Sequence, residues 1–241
     1  MQRRITLCDL DKTLIDKSYH LTIPAEKVRS VARRCADVGI VIGLCSDSPL
    51  PLLEGWAKEL ELTGPIIFEQ GAGLCNGVGG DVLSVLPDAT GLFLRLRDEV
   101  VRLALTKIPR YGIYIGDNTT LVRNGVLLPG PCEYYLLVSG TRRYSFATHV
   151  RRRDLATNAL AIDPCELRTV RLEVEAIARS LTTESLDVDE NPEYGVLIIH
   201  ATRNVKANGV RVLMESISRT SLVFIGDSKP DWAIFELLLK A

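Results

Sequence analysis

Three short apolar runs, at 5–8 (ITLC), 40–45 (IVIGLC) and 222–225 (LVFI), each stop abruptly at a carboxylate, a hydroxyl or a Gly-Asp pair. Runs this short and continuous mark strands buried on both faces, because a half-solvated strand alternates apolar and polar residues. Helical periodicity separates them. Pro24 reads as a first-turn residue with Thr22 as candidate cap, and Val28, Val31, Ala32 and Cys35 then share a face until Gly39 stops the helix. A second helix is expected over 50–62, ended by Thr63-Gly64, and a third strand over 66–68. Later, Val210, Leu213, Met214 and Ile217 line a helix before 222–225, and 231–239 reads as helix. Strand–helix alternation with short links predicts an α/β fold with a parallel sheet.

The middle of the chain reads differently. An amphipathic helix over 92–107 presents Leu92, Leu96, Val100, Leu103 and Ala104 on one face. Strand-like pieces follow at 111–115, 119–123 and 134–138, with turn signals at Gly116-Asp117-Asn118 and Asn124-Gly125. Residues 165–181 look helical, 187–194 is acidic and loop-like, and 195–200 is a strand. This is the pattern of an α+β domain with an antiparallel sheet, inserted into the parallel core.

In a parallel sheet, ligands bind beyond the carboxyl ends of the strands. The first run ends in Asp9-x-Asp11-x-Thr13, the second in Ser46-Asp47, and the last in Gly226-Asp227 with Asp231 four residues on. Lys206 opens the helix before that last strand. If these strands are neighbours, several carboxylates, a hydroxyl and an ammonium converge. Charge at the edge of a core is costly unless paired, solvated or bound to metal. Clustered carboxylates suit a hard cation, Mg²⁺ first, and a cation, a lysine and a serine together suit a phosphate. Asp9 then serves as nucleophile and metal ligand, and Asp11 reaches the leaving oxygen. Plainer readings stand beside these: Asp9 and Asp11 capping a turn, Ser46 capping the helix before Pro49, Lys206 as a surface lysine, and Asp231 favouring a helix N-terminus.

The segments ITLCDLDKT, IVIGLCS, NVKANGVRVL (with Lys206) and FIGDSKPD stand in the order of four motifs, and GPIIFEQGAGLCNG (64–77) follows the third strand. On these the sequence resembles the haloacid dehalogenase (HAD) superfamily of phosphohydrolases, in its Cof-like subclass IIB with a type C2 cap. Its closest likeness there is to the archaeal-type phosphoglycolate phosphatases, chiefly over residues 1–80. The resemblance implies a Rossmann-like parallel-sheet core from 1–83 and 201–241, with an α+β cap from 84–200 that closes over the substrate. It implies a phosphatase acting through an aspartyl-phosphate on Asp9, with Asp11 as acid and base. Mg²⁺ would be held by Asp9, the Asp11 backbone carbonyl and Asp227, with Asp231 as a further ligand or an orienting group. Thr13, Ser46 and Lys206 would bind the substrate phosphate. The substrate is expected to be a small phosphorylated metabolite, phosphoglycolate or a sugar phosphate. A phosphomannomutase-like phosphotransferase and a non-catalytic binding protein of the same fold are the alternatives.

Composition narrows the partners. A formal net charge of −1 gives no overall attraction to nucleic acid or an anionic membrane, and Arg151-Arg152-Arg153 reads as a solvated face or loop. No C-x-x-C occurs among the six cysteines, so reduced thiols and a cytoplasmic setting are expected. The apolar run after Arg3-Arg4 is too short for a signal peptide, and no run approaches the roughly 18 residues of a membrane span. A monomer or homodimer is expected. Gly116-Asp117-Asn118 and Gly77-x-Gly79-Gly80 read as turns rather than further phosphate motifs. Arg142, Arg143 and His200 are weak candidates for choosing the substrate. Three departures from the family pattern stand out: Pro230-Asp231 in place of Asn-Asp, Asp47 in place of Gly, and a sequence stopping soon after Asp231, which is expected to leave one sheet edge bare.

Overall fold

The computed structural model describes residues 4–86, 90–107, 110–117, 128, 130–202, 205–217 and 221–240. The chain forms two compact units, Met1–Pro87 with Arg203–Ala241, and Asp88–Thr202. The first begins with β1 (Arg4–Cys8), α1 (Ala25–Asp37), β2 (Ile40–Cys45), α2 (Leu50–Glu59) and β3 (Ile66–Phe68), then a hairpin of β4 (Gly73–Cys75) and β5 (Val82–Ser84). The second holds α3 (Thr90–Thr106), β6 (Tyr111–Gly116), β7 (Tyr134–Ser139), β8 (Ser145–Arg153), β9 (Leu160–Ile162), α4 (Pro164–Leu181), β10 (Leu186–Asn191) and β11 (Val196–Ala201). The chain then returns to the first unit with α5 (Lys206–Ser216), β12 (Ser221–Ile225), a 3-10 turn (Lys229–Asp231) and α6 (Trp232–Leu239).

The first unit is α/β around one sheet of order β12-β1-β2-β3-β4-β5. The first four strands in that order run parallel, and the β4–β5 hairpin extends the sheet antiparallel. Register fixes where the strands end: Cys8 lies opposite Ile225 on one side and Leu44 on the other. Ile5, Leu7, Ile67, Val210, Leu213, Phe224 and Ile234 form a buried core cluster, each side chain worth roughly 1.5–3 kcal/mol when fully buried. Among the described residues β12 has a neighbour on one side only, and its Val223 and Ile225 are exposed.

The second unit is a sheet of order β10-β11-β8-β7-β6, with β9 paired to β8 and with α3 and α4 packed against each other. The helix face of α3 buries Leu92, Phe93, Leu96, Val100 and Ala104, while Leu103 is half-buried. Asp163 caps α4, its carboxylate accepting from the Glu166 N–H at 3.0 Å. Among the described residues no helix is long and apolar enough to cross a membrane. The six cysteines are free thiols, and burial pushes Cys8 and Cys45 up to about 12.

Several expectations need correction. Thr22 does not cap α1: Pro24 holds the cap position, and the Thr22 hydroxyl donates to the Leu14 carbonyl instead. α2 ends at Glu59. The inserted sheet is not wholly antiparallel, because β6 and β7 run parallel. The acidic segment after Asp187 lies largely in strand β10, paired antiparallel with β11. The arginine run, expected as a solvated face or loop, is not a loop, and its exposed member is Arg152. It ends β8, and Arg151 is buried because its guanidinium donates to the Val150, Tyr194 and Gly195 carbonyls. The strand expected at 119–123 and the turn at Asn124-Gly125 lie outside the described residues.

Two buried histidines of this sheet titrate in opposite directions. Burial holds His149 well below the ordinary 6.5, with Arg151 and Arg142 pushing the same way. Burial also works to lower His200, but hydrogen bonds to the Asp189 carboxylate (2.9 Å) and the Ala201 carbonyl (3.0 Å) outweigh it and raise the group. The His200–Asp189 pair therefore contributes stability that is full below the unfolded value of about 6.5 and is lost as pH rises through the raised folded value. In an NMR titration His200 should titrate above the free-imidazole range in the wild type. In Asp189→Asn it should titrate well below its wild-type value, and an unchanged midpoint would refute the assignment.

Candidate active site

The site grows from the end of β1, the strand between β12 and β2. The Asp9 N–H donates to the Ile225 carbonyl at 2.8 Å, which keeps the ends of β1 and β12 side by side. The chain then turns tightly. Lys12 adopts a left-handed φ of 61°, and the Leu14 and Ile15 N–H groups both return to the Leu10 carbonyl at 2.9 and 3.1 Å. A non-glycine residue in that region costs about 1–2 kcal/mol. Backbone strain of this kind gathers at functional sites, where the surroundings hold it.

Asp9 is buried, and its Oδ1 accepts from the Leu10 N–H at 2.8 Å. The same oxygen lies 2.9 Å from Lys206 Nζ, while Asp231 Oδ1 lies 2.8 Å from that ammonium. All three side chains are at most 4% exposed. Lys206 opens α5 as the sequence suggests, but it is buried rather than a surface lysine. Burial alone would lower the Lys206 ammonium, yet the Asp9 and Asp231 carboxylates outweigh it and hold it above its ordinary value. Burial pushes Asp9 up to about 6 even against the pull of Lys206. Asp231 also loses solvent, but Lys206 and two hydrogen bonds from Ser228 keep it below the usual carboxylate value.

Ser228 is the residue that motif reading missed. Its N–H and its hydroxyl both donate to Asp231 Oδ2, at 3.0 and 2.8 Å, closing a capping box at the 3-10 turn. The signal was present as S-x-x-D in Ser228–Asp231. Both Asp231 oxygens are therefore engaged. Gly226 is required beside them, since a Cβ there would lie 2.4 Å from Asp231 Oδ2. Pro230 sits inside the turn, where its missing N–H costs nothing.

The remaining residues ring this buried triad. Asp227 is exposed and accepts from the Thr13 hydroxyl at 3.3 Å. Ser46, fully buried, takes the Ser48 N–H at 3.1 Å and makes longer contacts to Asp11 Oδ2 (3.4 Å) and Asp47 Oδ1 (3.5 Å). It does not cap α2, whose cap position is Pro49. Burial, then repulsion from Asp47 and Asp9, raises Asp11 to about 7. The seven residues assigned to catalysis, phosphate and metal thus lie in the first unit, whereas Arg142, Arg143 and His200 lie in the second. Asp9, Asp227 and Asp231 each offer an oxygen within 4.8 Å of the others. Asp9 and Asp231 share the Lys206 ammonium while Asp227 stands exposed beside them, and this hard, oxygen-only donor set of net negative charge fits a divalent cation such as Mg²⁺.

The ammonium is the neutralising centre of this arrangement, so its removal leaves two buried carboxylates uncompensated. Lys206→Met is expected to destabilise the unit by about 3–5 kcal/mol. Both tryptophans, Trp56 and Trp232, belong to the first unit, so tryptophan fluorescence in urea follows it. A shift under about 1 kcal/mol, the size of an exposed pair, would contradict the geometry.

No family model and no curated protein matches the chain, but solved structures do. A haloacid dehalogenase-like hydrolase from Bacteroides thetaiotaomicron superposes with a TM-score of 0.61 at 18% identity, over 95% of this chain and 84% of that one. The C-terminal domain of the C. albicans trehalose-6-phosphate phosphatase gives 0.60 at 14%, over 99% and 75%. A Thermoplasma acidophilum protein gives 0.58 at 18%, over 98% and 82%. At such identities the likeness is one of fold: the chain has the fold found in haloacid dehalogenase-like hydrolases.

Proposed function

We propose that the protein is a Mg²⁺-dependent phosphatase that hydrolyses a small phosphorylated metabolite through a phosphorylated Asp9. The observation that carries this reading is the buried ammonium of Lys206 shared by Asp9 and Asp231 at the carboxyl ends of parallel strands, with Asp227 alongside. Such a site holds a carboxylate nucleophile in place without quenching it.

In the first step an Asp9 oxygen forms a bond to phosphorus as the bond to the leaving oxygen breaks, and Asp11 gives that oxygen a proton. In the second, water attacks phosphorus, Asp11 takes its proton, and the Asp9–phosphorus bond breaks to release inorganic phosphate. An Asp11 carboxyl raised to about 7 suits both proton transfers near neutral pH. Lys206 neutralises charge on Asp9 and on the incoming phosphate, and Ser46 offers its hydroxyl to a phosphate oxygen. Thr13 acts here through Asp227, which its hydroxyl orients. Asp9, Asp227 and the Asp11 backbone carbonyl would hold Mg²⁺, and Asp231, with both oxygens occupied, orients Lys206. When bound, the cation draws negative charge off the phosphate and screens it from the carboxylates. The inserted unit is, in this reading, the cap that selects the leaving group. Phosphoglycolate is the first substrate to try, and sugar phosphates the second.

The test is phosphate release from phosphoglycolate and a sugar-phosphate panel that includes trehalose 6-phosphate, with Mg²⁺ and with EDTA. Wild type should release phosphate only with Mg²⁺, and Asp9→Asn should lose at least about 10³-fold in kcat, since no covalent route remains. An isomerised sugar phosphate in place of free phosphate would redirect the reading to a phosphotransferase. Independently, Mg²⁺ at about 100 times its Kd should stabilise the wild type by about 2.7 kcal/mol. Asp227→Asn should show far less of this shift in a thermal melt, and an undiminished shift would remove Asp227 from the cation site.

A further inference from the structure

The residues that face phosphorus do not explain the turn after β3. Glu69, Gln70 and Gly71 are three consecutive residues at positive φ, 46°, 58° and 82°. Two of them are not glycine, and both are buried, Glu69 at 1% and Gln70 at 8% exposed. Consecutive left-handed residues of this kind persist only where packing on both sides imposes them. On one side, the Glu69 N–H donates to the Ser48 carbonyl at 3.1 Å, and the Ser48 N–H in turn holds the Ser46 hydroxyl. On the other, Gly71 lies directly against the start of α5. A Cβ on Gly71 would be 2.5 Å from the Val205 carbonyl oxygen and 2.9 Å from Lys206 Cα, both backbone atoms that cannot swing away. Gly209, one turn along α5, presses on the same place, since a Cβ there would lie 3.1 Å from Gly71 Cα and 2.6 Å from Ile67 Cγ2.

We propose that the 69–71 turn is a spacer that sets the position of Lys206 relative to Asp9 and Ser46, with Gly71 as its positioning residue. The activity arm of the inference rests on the phosphatase reading; its structural arm does not. The Lys206 ammonium meets Asp9 and Asp231 at 2.9 and 2.8 Å, and its helix start is held by backbone contact with the turn. Thickening the turn by one methyl group displaces α5 at its first residue and pulls the ammonium off one carboxylate. A misplacement near 1 Å costs up to about 10²-fold in rate.

The experiment compares Gly71→Ala and Gly209→Ala with Gly64→Ala. Gly64 precedes β3 at the other end of the strand, and a Cβ there would meet the Gly43 nitrogen and the Ile42 carbonyl carbon at 2.6 Å. It is thus an equally tight backbone contact remote from the site. Gly71→Ala should lower kcat by about 10–100-fold and weaken inhibition by inorganic phosphate. Gly209→Ala should do the same more mildly, because the Ile67 side chain can yield. Gly64→Ala should lose thermal stability while keeping kcat. In parallel, ¹⁵N-lysine NMR, with the Lys206 signal assigned through Lys206→Met, should show a protected ammonium in wild type and Gly64→Ala that is shifted or lost in Gly71→Ala. If Gly71→Ala does not fold, Gly209→Ala decides both readouts. An unchanged ammonium signal and phosphate inhibition in the folded site variants would overturn the proposal, as would an equal kcat loss in Gly64→Ala. A wild type without phosphatase activity would instead refute the function, and the ammonium signal would still decide the spacer.

Discussion

One buried ammonium between two buried carboxylates governs this unit. Moving a charge out of water costs several kcal/mol even after relaxation, and Lys206, Asp9 and Asp231 all bear that cost within a few ångströms of one another. The arrangement is stable only because the ammonium stands at hydrogen-bond distance from both carboxylates. It is also deliberately incomplete, since one positive charge faces two negative ones and Asp227 adds a third carboxylate at the rim. A closed structural ion pair would be neutral. Excess negative charge among oxygen donors is the condition under which a divalent cation is favoured.

The sheet order explains how so few residues suffice. β1 lies between β12 and β2, so the residue leaving β1 has one neighbour's loop on each side. Asp9 thereby meets Asp227 and Asp231 from the β12 side, and Asp11 meets Ser46 from the β2 side. The parallel register, with Cys8 level with Ile225 and near Leu44, ends the three strands at one height. α5 enters from outside the sheet and brings Lys206 to the same level, with the turn after β3 beneath it.

What the sequence made legible was local. Asp9-x-Asp11, Ser46, Lys206 and Gly226-Asp227 each follow or open an element that short apolar runs or helical spacing reveal, and strand ends dictate where they gather. What it hid was set by partners distant in the chain. Arg151 looks solvated in a run of three arginines, and the Tyr194 and Gly195 carbonyls, over forty residues away in sequence, help to make its burial possible. Strand β10 reads as a loop because the partners of its carboxylates are distant in sequence: Thr202 for Asp187, His200 for Asp189 and Arg171 for Glu190. Burial of Lys206 was equally invisible: its ammonium is held by residues at both ends of the chain. The contact of Gly71 with Val205 is the extreme case, since nothing near Gly71 in sequence announces a helix arriving from beyond the inserted unit.

Asp9 and Asp11 show how one residue of separation produces two chemical environments. Both are raised, mainly by burial, yet their neighbours differ. Asp9 touches the ammonium directly and receives the Leu10 N–H, and both favour its ionised form. Asp11 points to Ser46 and is crowded by Asp47, so repulsion adds to burial and favours its protonated form. A cation held by Asp9 and Asp227 would further favour the ionised form of Asp9. In the proposed phosphatase, two carboxyls whose surroundings push them apart would divide the work between nucleophile and acid. Between them Leu10 is fully buried and anchors the turn, while Asp9 lies buried against Lys206 and Asp11 is partly exposed beside Ser46.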